Sequence, residues 1–92
     1  LDLADLLKEF PETHLTISSH TDSRGAREDN RRLSAARADH VASFLLRHGV
    51  AQQRTSAVGC GDRRPVASNE TAQGRAQNRR LEFLIEPRTG GR

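Results

Sequence analysis

Apolar residues open the chain at helical spacing. Leu3, Leu6, Leu7 and Phe10 fall on one side of a helix, and Pro11 ends the pattern. The next segment, Leu15-Thr16-Ile17-Ser18-Ser19, alternates and predicts a short strand with Leu15 and Ile17 facing a core. From His20 to Asp29 the chain is polar and charged, with Gly25 as its turn, and reads as a loop. A second helix is expected from about Asn30, with Asn30 or Asp29 as its N-cap. Leu33, Ala36, Arg37, Val41, Phe44, Leu45 and His48 lie on or beside one stripe of it, and Gly49-Val50 supplies a Schellman-type end. Arg54 to Gly59 is a weak strand candidate, and Gly59-Cys60-Gly61-Asp62-Arg63-Arg64-Pro65 reads as loop. Thr71 to Asn78 suits a short helix. Leu81-Glu82-Phe83-Leu84-Ile85 is the clearest strand, with Leu81, Phe83 and Ile85 on one face.

The order α-β-α-β-(α)-β predicts an α+β fold, a two-layer sandwich with helices on one face of a sheet. A further strand is expected ahead of residue 1. The domain is placed at 1–86 and a flexible tail at 87–92. At 92 residues the chain fits one domain with room for a single compact core and no large internal cavity.

The net charge is +3, and 14 of the 15 basic residues are Arg. Arginine suits planar, two-pronged recognition of carboxylate or phosphate. A GC-rich genome accounts for the overall excess without explaining any single position. The one cysteine, Cys60, excludes an intramolecular disulfide framework and any CxxC motif. His14, His20, His40 and His48 have no paired ligand spacing, so neither a metal nor a cofactor is expected. His20, Asp22 and Ser23 are too close in sequence to converge as a catalytic triad, so the chain is not expected to be an enzyme. No apolar run approaches the length of a membrane span. The chain starts abruptly in a helix, which reads as a piece of a longer protein, so its missing targeting signals carry no information about location.

Arg37 stands out. It lies four residues after Leu33 and four before Val41, on the face expected to be apolar. A guanidinium held there needs an anion, because an unpaired buried charge is costly. Asp22, where the first strand hands over to the second helix, is the nearest candidate. Two readings stay open: a plain Asp22–Arg37 ion pair, or a split receptor for a zwitterion in which Asp22 accepts an ammonium and Arg37 grips a carboxylate.

His20-Thr21-Asp22-Ser23-Arg24-Gly25, then Asn30, then Leu33-Ser34-Ala35-Ala36-Arg37-Ala38, resembles the signature of OmpA C-terminal-like peptidoglycan-binding domains. Gly49-Val50, Gly59-Cys60-Gly61, Pro65, Asn69 and Gly74-Arg75-Ala76-Gln77-Asn78-Arg79-Arg80-Leu81-Glu82 continue the resemblance in order over nearly the whole chain. The family includes outer-membrane porin tails, peptidoglycan-associated lipoproteins and flagellar-motor stators. The resemblance implies a βαβαβ-type fold on a mixed sheet, with the first strand missing from this segment. It further implies that Asp22 and Arg37 bind the meso-diaminopimelate of the wall stem peptide, with Thr21, Asn30, Leu33 and Arg79 at supporting positions. Ser19 departs from the glycine that many relatives carry before the His-Thr-Asp step.

The expected partner is therefore peptidoglycan and not nucleic acid. The parent is expected to be membrane-anchored outside this segment, in the periplasm, attached to the outer membrane or cell envelope of a Gram-negative bacterium. A homodimer is allowed. The alternative is a basic module binding nucleic acid or an anionic surface. It has the pI near 10.4 in its favour, but 12 acidic residues are interspersed, and no Trp or Tyr supplies a stacking platform.

Overall fold

The computed structural model describes residues 2–88. Helix α1 (Leu3–Glu9) leads into strand β1 (Thr13–His20), helix α2 (Arg27–Arg47), strand β2 (Thr55–Gly61), helix α3 (Ala72–Asn78) and strand β3 (Arg80–Pro87); a 3-10 turn at Gln52–Arg54 precedes β2. Asp2 caps α1, its carboxylate accepting the Asp5 N–H at 2.9 Å, and Thr71 caps α3 through Gly74 N–H.

The sheet order is β2-β1-β3. β1 runs parallel to β2 and antiparallel to β3, so the sheet is mixed. Parallel neighbours need a long crossover, and α2 supplies it. Leu15 and Ile17 point from β1 into a core with Ala4 and Leu7 of α1, Ala38 and Leu45 of α2, and Val50. That core places α1 and α2 together on one side of the central strand. The two-layer α+β expectation and the mixed sheet therefore stand.

Several local expectations change. α2 begins at Arg27, with Ala26 at the N-cap and no side-chain cap; neither Asn30 nor Asp29 serves there. Its buried positions are Asn30, Ser34, Ala38 and Leu45; Leu45 belongs to the predicted stripe, whereas Ser34 and Ala38 lie one residue on from Leu33 and Arg37. Leu33 is 46% exposed, Phe44 is 44% exposed, and Arg37 is exposed. Arg37 is thus not held against a core. The reason lies across the interface. A Cβ on Gly59 would stand 2.3 Å from the backbone nitrogen of Ala35, and one on Gly61 would stand 3.2 Å from that of Arg31. The helix approaches β2 so closely that only small side chains fit between them. Gly59-Cys60-Gly61, expected in a loop, forms the end of β2, and Gly61 takes φ +58° there.

β3 alternates as predicted but stays open. Leu81, Phe83 and Ile85 all keep at least 40% exposure, because among the described residues β3 packs mainly on its neighbour β1 and no helix lies broadly over its face. Pro87 still pairs with Thr13, and the Arg88 N–H reaches Glu12 O at 2.8 Å. Positions 89–92 of the expected tail lie outside the described residues.

Candidate functional site

The last two residues of β1 open a buried polar run that continues past the strand. Ser19, His20, Thr21 and Asp22 are all buried, although four such residues in a row would normally mark a surface loop. Hydrogen bonds explain how the run stays inside. The Thr21 N–H donates to Gly61 O at 2.9 Å and prolongs the β1–β2 pairing, while its hydroxyl donates to Asp22 O at 2.8 Å.

Asp22 Oδ1 accepts the Arg24 N–H at 2.9 Å, the local turn that Asp favours. Its Oδ2 accepts Arg79 Nη1 at 2.7 Å. These two donors, the Arg24 N–H first and Arg79 second, hold the Asp22 carboxyl below the usual carboxylate range. Asn30 closes the turn from α2, its Nδ2 donating to Arg24 O at 2.9 Å and to Asp22 O at 3.3 Å. Asn30 therefore shapes the Asp22 loop from inside the helix.

The structure thus gathers Thr21, Asp22, Asn30 and Arg79. It does not form the Asp22–Arg37 ion pair that one sequence reading allowed: the cation bonded to Asp22 is Arg79, 57 residues away in sequence. Arg37 instead lines a hollow of about 310 Å³ with Ser19, His20, Arg79, Arg80 and Leu81. Among the described residues, nothing hydrogen-bonds or ion-pairs with its guanidinium. Arg79 belongs both to this hollow and to the Asp22 pair, and so connects the carboxylate to the free guanidinium. Leu33 is not drawn into the cluster.

Sequence reasoning assigned no role to three residues that hold this end of the molecule together. Ser34 is fully buried; its hydroxyl donates to Arg31 O and accepts the Gly61 N–H at 2.9 Å, tying α2 to the end of β2. Asn78 is also fully buried. Its Oδ1 accepts the N–H groups of Val66 and Ala67, and its Nδ2 donates to Ala67 O and to Asn69 Oδ1. Asn69 Oδ1 in turn accepts the Ser23 N–H at 3.3 Å. A buried amide at the end of α3 thereby fastens the loop after β2 to the loop that carries Asp22. A Ser or Asn in a polar stretch gives no hint of such depth; the signal was the Gly-Arg-x-x-Asn-Arg-Arg run, quoted above for its resemblance alone.

His20, which lines the same hollow, is buried 3.4 Å from Glu82, with burial first and Arg80 second lowering its pKa. Much of the arginine surface is internally neutralised. Arg27 pairs with Asp62, Arg31 and Arg32 with Glu28, and Arg80 with Glu82. Such a surface is a poor track for a polyanion, which needs unpaired cations in series. Among the described residues, no group of three or more His, Cys, Asp or Glu side chains is placed to hold a metal.

Comparison with known proteins agrees with this architecture. The OmpA family pattern matches residues 1–79. The chain is 47% identical over 85 residues to outer membrane porin F of Pseudomonas fluorescens, and 45% identical over 83 residues to the peptidoglycan-binding protein ArfA of Mycobacterium tuberculosis. The matches take in 92% and 90% of this chain, but the chain spans only 26% of the length of each of these relatives. The crystal structure of the peptidoglycan-associated lipoprotein from Burkholderia pseudomallei superposes with a TM-score of 0.84 at 36% identity, over 90% of this chain and 70% of that one. With the signature loop, the close α2–β2 contact and the mixed sheet all in place, the chain belongs to the OmpA family.

Proposed function

We propose that this domain binds peptidoglycan non-covalently through the meso-diaminopimelate of the stem peptide, and so holds an envelope protein to the wall. Asp22 takes the ammonium at the free end of diaminopimelate, and Arg37 takes the carboxylate on the same carbon. Thr21 and Asn30 hold the loop in shape, and Arg79 stands between the two charges. No bond is made or broken.

The observation that carries this reading is a buried carboxylate held below its ordinary pKa and bonded to Arg79, which shares one small hollow with the exposed Arg37 guanidinium, unpaired among the described residues. That is the charge layout of an amino-acid headgroup. The names of the peptidoglycan-binding and peptidoglycan-associated relatives support the wall as partner, and the porin relative supports an outer-membrane or envelope setting.

The test is calorimetric titration with the tripeptide L-Ala-γ-D-Glu-meso-diaminopimelate. Arg37→Ala is expected to weaken binding by about 1.5–3 kcal/mol, the range for a hydrogen bond to a charged group. Unchanged affinity would overturn the assignment of Arg37.

A further inference from the structure

Asp22 is engaged before any ligand arrives. Both carboxylate oxygens already accept a hydrogen bond, one from the Arg24 backbone and one from Arg79. The Arg79 side chain is 48% exposed and lines the hollow beside Arg37, so it can swing without disturbing the core. Arg80, in the same hollow, is tied down by Glu82, Asn78 O and Arg64 O. Of the three guanidinium groups around the hollow, Arg79 is therefore the one that is both half exposed and bonded to Asp22.

We propose that Arg79 is a specificity-determining residue of this site: an internal counter-ion that an incoming ammonium displaces from Asp22, and that the ligand's own carboxylate then takes up alongside Arg37. The inference rests on the diaminopimelate reading and adds a selection step to it. A ligand carrying only an ammonium must break the 2.7 Å charge-assisted bond and leave Arg79 without an anion, close to Arg37 and Arg80. A zwitterion repairs what it breaks, because its carboxylate neutralises the released guanidinium. Rejection of simple amines is then built into the protein as a competing pair, beyond the loss of a contact to Arg37.

Two tripeptides separate these ideas. L-Ala-γ-D-Glu-meso-diaminopimelate and L-Ala-γ-D-Glu-L-Lys carry the same distal ammonium and differ there by one carboxylate. Each is titrated into the wild-type chain and Arg79→Ala, followed by NMR so that millimolar affinities are read. Arg79→Ala is expected to bind the diaminopimelate peptide about tenfold more weakly and the lysine peptide about threefold more tightly than wild type. The preference between them then falls by more than tenfold.

If Arg79 were a contact alone, the first peptide would lose affinity with no gain for the second. If it were structural alone, both would lose. Either result overturns the inference. A second readout needs no ligand: the Asp22 carboxyl, followed by NMR, should titrate at higher pH in Arg79→Ala. An unmoved titration means the pair is not formed in solution, and the inference falls. Failure of the underlying reading looks different. It appears as no binding of the diaminopimelate peptide to the wild type, or as full binding to Asp22→Asn, and it removes the inference as well.

Discussion

Ser34 and Asn78 show how much of this molecule depends on single polar side chains. Truncating Ser34 to Ala leaves the Gly61 N–H without its acceptor in a buried position. The expected loss of stability is about 1–3 kcal/mol, measured by urea unfolding. Asp22 adds a pH dependence. Its pKa is lower in the folded chain than in the unfolded one, so its contribution is complete above the ordinary Asp value, about pH 4, and disappears as the pH falls through the folded value. Glu28 and Glu82, also shifted down, act in the same direction. The stability difference between wild type and Asp22→Asn isolates Asp22, and it should shrink on going from pH 6 to about pH 3 in urea titrations. At this scale the sequence was only partly readable. Asp22 and Arg37 were legible as an oddly placed pair, open to an ion pair or a split receptor, and the resemblance alone favoured the receptor. The Asp22–Arg79 bond was not legible, because no local periodicity connects a turn with a helix end 57 residues later.

At the scale of elements, α2 is the instructive case. Hydrophobic periodicity selected a stripe with Leu33, Val41, Phe44 and Leu45 as its large apolar groups; Leu45 is buried and Val41 packs on the core, but Leu33 and Phe44 are exposed. The buried line runs instead through Ser34 and Ala38, because the helix rests against glycines of β2 and distance outranks hydrophobicity there. The sequence did contain that information, as a small-residue pair in α2 matched by Gly59-x-Gly61 in β2, but it becomes visible only once the two elements are known to pack. Gly59→Ala tests the contact. Its methyl group would collide with the Ala35 backbone, which no rotamer change relieves. A destabilisation of about 1–3 kcal/mol or more is expected, read as a lower urea midpoint. β3 went the other way. Its alternation was legible, but its exposure was not, since burial depends on neighbours that alternation does not specify.

At the scale of the whole molecule, element order and the placing of α1 and α2 on one face were readable, because Pro11 and Gly49 mark where those two helices end and the strands alternate between them. Electrostatics at this scale also makes a prediction. A site that holds one zwitterion releases few counter-ions, so affinity for the diaminopimelate tripeptide should change only modestly between 50 and 200 mM salt. A drop of about a thousandfold or more would favour tracking of a polyanion instead. Finally, the central strand joins two ends with different tasks. β1 begins just after α1 and ends at the Asp22 loop, with a paired neighbour on each side. A pull applied between α1 and the Asp22 loop would run along the strand, across its ladder bonds. Those bonds are then loaded side by side and must slip together instead of unzipping singly.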